Sequence, residues 1–388
     1  MTTDMHYLDH NATSPLRPEA CAAMERVLAM PGNPSSVHRA GRAARAVVEN
    51  ARADVAMLVG ARSEDVIFTS GGTEANALAL WGAVQGATDA ASPIKALWIS
   101  AIEHDSIRKS AAAIAERFPA LRLVSLPVTG DGVVDLDALS QVLKDTAERV
   151  LIAVMGANNE TGVVQPVADV VELVRGVGGL CLIDAVQSCG KIAARFGELG
   201  GDYMTISAHK LGGPRGVGAL AARQGAPLAP QIAGGNQEKN RRAGTENVAG
   251  IAGFGAAARA SMQDEMARLT KLRDGFEAGL RRRFPDLVVI GERGPRLANT
   301  SNFALPGIAA ETALIALDLD GVMVSSGAAC SSGKVKPSHV LAAMGISADL
   351  AQSALRVSVG WNSCESDIEA ALASLEKHCA RIHARRAA

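Results

Sequence analysis

The sequence predicts an α/β protein in which a large, mostly parallel sheet is followed by a smaller C-terminal α+β domain. Three observations support this prediction. Short apolar runs alternate with helical runs from residue 66 to about residue 220, which is typical of a parallel sheet covered by helices on both faces. The alternation ends before Phe284 and Pro285, and a different pattern follows. The chain of 388 residues is long enough for two domains.

Two helices are expected before the sheet begins. One is predicted at residues 18–30, where Pro31 and Gly32 end it, and the next begins near Arg39. Apolar residues in the second helix recur at three- and four-residue steps, and Gly60 ends it. Strands are then predicted at 66–69, 96–99, 121–128, 150–155, 180–183, 203–206 and 218–220, and helices at 74–83, 106–117, 135–143 and 167–175.

The C-terminal part has a different order of elements. Residues 245–283 are predicted as one long helical connection, followed by strands at 287–290, 301–305 and 355–359 and by helices at 311–319 and 365–381. The expected division is a large domain at 16–255 and a small domain at 256–388, to which the N-terminal segment 1–15 contributes.

Composition excludes several classes of function. Apolar residues make up 48% of the chain and charged residues 20%, and a net charge of −1 provides no basic excess for nucleic acid or anionic membrane. No apolar run is long enough to span a membrane and no signal peptide is evident, so a cytoplasmic location is expected. None of the six cysteines forms a C-x-x-C pair, so no metal site is predicted.

Three groups at strand ends suggest a cofactor site. Lys210 follows a strand on a Gly/Pro-rich loop, Asp184 ends another strand, and the turn at Gly71 and Gly72 opens a helix. A reactive lysine, a buried acid and a phosphate cradle are the protein groups that pyridoxal phosphate needs. Each also has a plainer interpretation: a surface lysine, a helix cap or arginine partner, and an ordinary turn before a helix.

Three further residues are candidates for chemistry. His104 follows a strand, where its ring could stack on a cofactor or cap the next helix. Arg356 lies inside an apolar strand, where it could bind a substrate carboxylate or form a structural ion pair. Cys330 lies in a run of small residues near Lys334 that predicts a mobile, exposed loop, so its thiol could be nucleophilic or its position a matter of chance.

With these residues in place, the chain resembles the NifS/IscS-like cysteine desulfurases, a group of pyridoxal phosphate enzymes within the class V aminotransferases. The resemblance runs nearly from end to end. The matching motifs are 7–13 (YLDHNAT), 32–38 (GNPSSVH), 68–74 (FTSGGTE), 103–104 (EH), 158–165 (NNETGVVQ), 184–187 (DAVQ), 207–210 (SAHK), 242–247 (RAGTEN) and 325–330 (SSGAAC).

The resemblance implies a fold and a role for each matched residue. The fold is the aspartate aminotransferase-like fold of pyridoxal phosphate enzymes, called fold type I, with a seven-stranded sheet in the large domain. The implied catalytic residues are Lys210 as the Schiff-base lysine, His104 as the residue that stacks on the ring, and Cys330 as the nucleophile that accepts sulfur. The implied cofactor-binding residues are Lys210, His104, Asp184, Gln187, Asn159, Gly72, Thr73, Ser207, His209 and Thr245, and the implied substrate-binding residues are Arg356, Asn159 and Asn33.

The resemblance also implies a reaction and partners. L-cysteine is converted to L-alanine, and its sulfur passes to Cys330 as a persulfide for delivery to acceptor proteins, among which an iron–sulfur scaffold stays open. Thr245 is expected to reach the phosphate of the other subunit in a homodimer. Selenocysteine lyase and another class V aminotransferase are the alternative activities, and a cofactor-binding regulator without turnover is a third. A nicotinamide-dependent dehydrogenase is excluded because the first strand–turn–helix lacks G-x-G-x-x-G.

Overall fold

The computed structural model describes residues 5–88, 92–262, 265–326, 330–331, 334–335 and 338–387, with side chains for all of these except 330–331, 334–335 and 382–387. The helices are α1 Pro18–Leu28, α2 Arg39–Val59, α3 Gly72–Gly86, α4 Asp105–Arg117, α5 Leu136–Lys144, α6 Val167–Gly176, α7 Phe196–Leu199, α8 Val248–Ser261, α9 Met266–Arg283, α10 Ala310–Leu319, α11 His339–Ala343, α12 Ala348–Ala351 and α13 Glu365–Ala387. The strands are β1 His6–Tyr7, β2 Val66–Thr69, β3 Ala96–Ser100, β4 Arg122–Leu126, β5 Val150–Met155, β6 Leu180–Asp184, β7 Tyr203–Ser207, β8 Gly218–Ala222, β9 Val288–Val289, β10 Thr300–Ala304, β11 Val322–Met323, β12 Ser325–Ser326, β13 Cys330–Ser331, β14 Lys334–Val335 and β15 Ala354–Ser358.

The largest sheet has seven strands in the order β2-β8-β7-β6-β5-β3-β4. Strand β8 runs antiparallel to both neighbours, and the other pairs are parallel. In an open parallel sheet the loops after the strands meet at one edge, where ligands bind. This edge therefore collects the polar residues that follow β2, β3, β5, β6 and β7.

Two hydrophobic layers cover the sheet. On one face, α3 and α4 pack through residues such as Leu78 and Ile107. On the other face, α2, α5, α6 and α8 contribute residues such as Val55, Leu139 and Phe254. Because both faces are covered, the central strands consist almost entirely of buried residues, as their continuous apolar sequences predicted.

The C-terminal part has its own sheet and core. Strands β12, β15, β10 and β9 form a four-stranded sheet whose pairs are antiparallel. Its core includes Phe276 of α9, Phe303 of β10 and Leu372 of α13. The rings of Phe276 and Phe303 pack edge to face, with centroids 5.5 Å apart.

The N-terminal segment joins the C-terminal part, although it comes first in the sequence. Strand β1 pairs in parallel with β11, and Asp9 forms an isolated bridge with Ser358 at the end of β15. This pairing places the turn at residues 9–13 beside the strand ends of the large sheet. The domain boundaries proposed from the sequence, 16–255 and 256–388 with 1–15, stay a prediction.

The structure corrects two local predictions. The single helical connection at 245–283 is instead two helices, because α8 is mostly apolar and buried in the core of the large sheet, whereas α9 packs by one face on the small core. The run around Cys330 is not loop throughout: β12 pairs with β15, and the backbone of Cys330 pairs with that of Val335 in a short hairpin. None of the described helices is long and apolar enough to cross a bilayer.

Candidate active site

A cavity of about 360 Å³ opens at the edge of the large sheet where the parallel strands end. The cavity brings together most of the residues that the sequence singled out. Its lining includes Gly72, Thr73, His104, Asn159, Asp184, Gln187, Ser207, His209, Lys210 and Arg356. These residues come from six separate stretches of the chain, which only the fold brings into contact with one space.

Lys210 lies one short turn beyond β7, where the Gly/Pro-rich loop prevents the strand from continuing. Its Nζ donates to the carbonyl oxygens of Asn11 at 2.6 Å and Ala12 at 2.8 Å. Burial, followed by the positive charge of Arg356, lowers the pKa of Lys210 to about 8. About a tenth of this amine is therefore uncharged and nucleophilic at pH 7, far more than for a lysine with an ordinary pKa.

Asp184 ends β6 with a carboxylate that is 6% exposed. One oxygen, Oδ1, accepts from the backbone N–H of Val186 at 3.0 Å, and Oδ2 accepts from Asn76 Nδ2 at 2.8 Å. The Asn76 carboxamide is itself fixed, because its Oδ1 accepts from Thr205 Oγ1 at 2.6 Å. Both carboxylate oxygens are thus held by neutral donors.

The start of α3 forms a cradle for an anion. Gly72 and Thr73 lie in its first turn, where backbone N–H groups have no partner within the helix, and Ser207 and His209 lie across from them on the lining of a second cleft of about 370 Å³. A Cβ on Gly72 would lie 2.9 Å from Val186 Cγ2, so this close approach requires glycine. Burial and the nearby cations lower the pKa of His209 to about 4, which leaves its ring neutral.

His104 caps a helix, which is the plainer interpretation of its position, and it also lines the cavity. Its Nδ1 accepts from the backbone N–H of Ser106 at 3.1 Å and so caps α4. The ring also lines the main cavity. Capping engages Nδ1, so Nε2 is not used by the cap.

Arg356 lies in β15 and is 5% exposed. Its Nη1 donates to the carbonyl oxygen of Asn159 at 3.0 Å, and its Nη2 donates to Asp9 Oδ1 at 2.6 Å. The structural ion pair considered from the sequence therefore exists. The guanidinium nevertheless lines the cavity together with Asn159, and its buried Nε has no partner among the described atoms.

Two buried acids lie behind the cavity. Glu103 Oε1 accepts from the backbone N–H of Met155 at 2.7 Å, and burial, with the charge of Asp184, raises its pKa well above the usual value. Glu160 Oε2 accepts from Ser338 Oγ at 2.5 Å, and burial raises the pKa of Glu160 to about 7. Ser338 lies eight residues after Cys330, so this contact joins the chain after the cysteine to the turn that contains Asn159.

Two residues predicted for the cofactor and substrate site do not line the main cavity, and the side chain of a third is not among the described residues. Thr245 is exposed and lines a neighbouring cleft with Ser70, and not the main cavity. Asn33 is exposed on the loop before α2, where its Oδ1 accepts from the backbone N–H of Ser35 at 2.9 Å. The side chain of Cys330 lies outside the described residues. The roles implied for these three residues stay predictions.

The sequence also missed residues that contact the site. Asn11 lines the cavity and accepts from Lys210 through its carbonyl oxygen. Lys191 Nζ donates to Asn11 Oδ1 at 3.0 Å and to Gln187 Oε1 at 2.8 Å. Asn11 lies within the motif at 7–13, which is its signal in the sequence. Nothing in the local sequence distinguished Lys191 from a surface lysine.

The chain matches the family model described as aminotransferase class-V over residues 6–371, and it belongs to that family. Members of this family use pyridoxal phosphate. Within the family, the chain is similar to the cysteine desulfurases. It is 42% identical to the cysteine desulfurase IscS of Dictyoglomus turgidum over 376 residues, which cover 96% of this chain and 93% of that protein.

Other relatives are likewise cysteine desulfurases or NifS-like proteins. The chain is 39% identical to the IscS-like cysteine desulfurase of Mycobacterium tuberculosis over 388 residues, covering 99% of this chain and 98% of that protein. The solved structure of a NifS-like protein from Rickettsia africae superimposes with a TM-score of 0.86 at 34% identity, covering 96% of this chain and 99% of that one. The predicted resemblance to NifS/IscS-like proteins and the predicted fold are thereby confirmed.

The residues of the cavity fit pyridoxal phosphate. The start of α3 provides N–H donors for a phosphate, Asp184 provides a buried carboxylate for a ring nitrogen, and Lys210 provides an amine for the aldehyde. All three lie on the lining of one space. The donor set therefore matches the cofactor of the family group by group.

Proposed function

We propose that the protein is a pyridoxal phosphate-dependent cysteine desulfurase that converts L-cysteine to L-alanine and transfers the sulfur to Cys330. The observation that carries this proposal is the single cavity lined by Lys210, Asp184 and Arg356 in a chain whose relatives are cysteine desulfurases. The amine, the acid and the carboxylate-binding group are the three functions that an amino-acid substrate requires at such a cofactor.

Pyridoxal phosphate, when bound, supplies an aldehyde for an amine and a ring that accepts electrons from the substrate α-carbon. Lys210 would hold the cofactor through Nζ until the substrate amine displaces it, and the released Nζ could then take the α-proton of the substrate, as its lowered pKa allows near neutral pH. Asp184 holds the proton on the ring nitrogen. His104 covers the ring and moves protons near the substrate sulfur.

Arg356 and Asn159 bind the substrate carboxylate. The Arg356 guanidinium is anchored on the Asn159 carbonyl and on Asp9, so it is oriented before the substrate arrives. Its unpartnered Nε is a buried donor that an arriving carboxylate oxygen can satisfy. This preorganisation favours α-amino acids over amines that lack the carboxylate.

Cys330 is the proposed sulfur acceptor. Its thiolate attacks the sulfur of the substrate, an S–S bond forms as the C–S bond breaks, and the substrate carbon gains a proton. L-cysteine and the Cys330 thiol thus become L-alanine and a Cys330 persulfide, with no external oxidant. A sulfur-acceptor protein, with an iron–sulfur scaffold as one candidate, then receives the terminal sulfur.

The homodimer and the cytoplasmic location are also part of the proposal. Thr245 and Asn33 are exposed outside the main cavity, which agrees with roles toward a second copy. The five cysteines whose side chains are described are free thiols, as expected in a reducing compartment. Analytical ultracentrifugation of the cofactor-loaded protein tests the dimer, and a monomer would contradict it.

The activity is tested by measuring sulfide and alanine released from L-cysteine in the presence of a reductant. Wild type is expected to be yellow and to form both products, and Cys330→Ala to stay yellow without forming sulfide. Cys364→Ala, which removes an exposed thiol elsewhere, is the matched control and is expected to keep full activity. A Cys330→Ala variant with full activity would favour a lyase or transaminase, and a colourless wild type would contradict the whole assignment.

A further inference from the structure

Lys191 is a second lysine beside the main cavity, and the reaction proposed above does not use it. It follows the 184–187 motif in sequence and lines a small cavity of about 40 Å³ on the far side of Lys210. Its Nζ donates to two oxygens, Gln187 Oε1 at 2.8 Å and Asn11 Oδ1 at 3.0 Å. Both acceptors belong to residues that line the main cavity.

The contacts of Gln187 leave one possible orientation for its carboxamide. Gln187 Nε2 donates to the carbonyl oxygen of Asn11 at 2.9 Å, and that oxygen can only accept. On the other side, Lys191 Nζ donates to Gln187 Oε1 and to Asn11 Oδ1. Burial lowers the pKa of Lys191 to about 7, but both the charged and the neutral amine carry the two N–H groups that these acceptors need. The second N–H of Nε2 is engaged by no described residue and is left for a ligand in the cavity.

Asn11 contacts Gln187, Lys191 and Lys210, and so links the orientation of the Gln187 amide to the position of Lys210. The Asn11 carbonyl oxygen accepts from both Lys210 Nζ and Gln187 Nε2, while its side-chain oxygen accepts from Lys191. The Asn11 carboxamide is fixed on its other side as well, because its Nδ2 donates to Thr300 Oγ1 at 2.8 Å. One residue therefore aligns the amines of both lysines with the amide of Gln187.

We infer that Lys191 is a positioning residue that holds the Gln187 carboxamide with its nitrogen, and not its oxygen, toward the bound cofactor. Without Lys191, Gln187 Oε1 has no donor and only the bond from Nε2 to the Asn11 carbonyl still holds the amide, so the amide can turn its oxygen toward a donor in the cavity. The inference rests on the proposed function in placing the cofactor oxygen near Gln187. Lys191 would touch neither the cofactor nor the substrate and would act through the side chain of Gln187.

The test is a pH titration of the yellow absorbance of the purified, cofactor-loaded protein without substrate. In the loaded protein, the cofactor oxygen near Gln187 can accept either from the Gln187 N–H or from the proton on the nitrogen that joins the cofactor to Lys210. Without the Gln187 donor, the oxygen holds that proton more tightly, so a higher pH should be needed to remove it. In Lys191→Met, we expect the midpoint of the titration to rise by about one pH unit. Lys191→Arg keeps a donor at this position and is expected to restore the wild-type midpoint.

A double-mutant cycle separates positioning from structural support. If Lys191 acts through Gln187, the double variant Lys191→Met/Gln187→Ala should have the same midpoint as Gln187→Ala alone. This pair also decides the question if Lys191→Met does not fold, because the double variant lacks the Gln187 oxygen, and the other acceptor of Lys191, Asn11 Oδ1, still accepts from Asn299 Nδ2 at 3.1 Å. Lys271→Met, which replaces an 81% exposed lysine, is the control and should change nothing.

The outcomes distinguish the inference from the proposed function. A lower unfolding temperature of Lys191→Met with an unchanged midpoint would show a merely structural lysine and overturn the inference. Different midpoints for Gln187→Ala and the double variant would overturn it as well, because Lys191 would then act directly. A wild type that takes up no cofactor would overturn the proposed function together with the inference, whereas a yellow wild type with unshifted variants overturns the inference alone.

Discussion

Asp9 Oδ1 accepts from Arg356 Nη2 at 2.6 Å, which ties the N-terminal segment to β15 at the wall of the cavity. The two residues are 347 positions apart in sequence and meet because β1 and Asp9 pair with the C-terminal part. Arg356 is almost fully buried, and Asp9 is the anionic partner of its guanidinium. The orientation of the proposed carboxylate-binding group therefore depends on the N-terminal segment.

The first prediction concerns this ion pair. In Asp9→Asn, the guanidinium keeps its bond to the Asn159 carbonyl but loses its charged partner, so KM for L-cysteine should rise about tenfold, or 1.4 kcal/mol. Steady-state kinetics of sulfide release measure this change. Asp131→Asn, which removes the partner of the exposed Arg293, should leave KM unaltered. An unchanged KM in Asp9→Asn would show that Asp9 does not orient Arg356.

The second prediction concerns the pH dependence of cofactor uptake. Since the pKa of Lys210 is lowered to about 8, the fraction of reactive amine rises through that pH. The rate at which cofactor-free protein becomes yellow should increase about tenfold from pH 7 to pH 9 and then level off. Stopped-flow absorbance gives this profile, and Lys210→Ala should form no lasting colour. A rate that still climbs steeply beyond pH 10 would indicate a lysine with an ordinary pKa.

The third prediction concerns Glu160 and the stability of the fold. The pKa of Glu160 is raised to about 7 from its ordinary value of 4.5, so the folded protein binds more protons than the unfolded chain in this window. The contribution of Glu160 to the free energy of unfolding should therefore be greatest below pH 4.5. It should fall by about 3 kcal/mol as the pH rises to 7.

Glu160→Gln keeps an acceptor for Ser338 but cannot ionise, so this part of the pH dependence should disappear. Urea unfolding at pH 5 and pH 7.5 compares the variant with wild type and with Glu172→Gln, an exposed glutamate on α6. If wild type and Glu160→Gln respond to pH in the same way, Glu160 is not the group that titrates.

The fourth prediction concerns a strained turn beside Thr245. Glu238, Lys239 and Asn240 have φ values of 45°, 57° and 64°, a conformation that non-glycine residues rarely adopt. Arg52 holds the turn through two bonds to the Glu238 carboxylate, at 2.7 and 2.9 Å, and both side chains are buried.

Glu238→Ala leaves the Arg52 charge buried without this partner, so the free energy of unfolding should fall by about 3–5 kcal/mol. Glu49→Ala removes the exposed partner of the same arginine and should cost under about 1 kcal/mol. Chemical denaturation of both variants measures the difference. Equal losses would show that the buried pair does not hold the turn.

Much of the architecture could be predicted from sequence because its determinants are local. Most strands of the large sheet are continuous apolar runs, and Gly60, with a φ of 63°, ends α2 before the first of them. The family was also visible, because its motifs are contiguous stretches. Most of the cavity lining lies within those stretches, so the candidate residues were found before their geometry was known.

The tertiary structure alone decided how those residues are held. The side chain of Asp9 binds Arg356, and the side chain of Asn11 binds Lys191. The two partners in each pair are far apart in sequence, and no periodicity or motif spacing encodes such a pair. The pKa values of Lys210 and Glu160 likewise depend on burial and on neighbouring charges from other elements. Sequence thus determined the elements and the chemical groups, since these follow from local pattern, whereas folding determined orientation and protonation, since these follow from contacts between segments far apart in the chain.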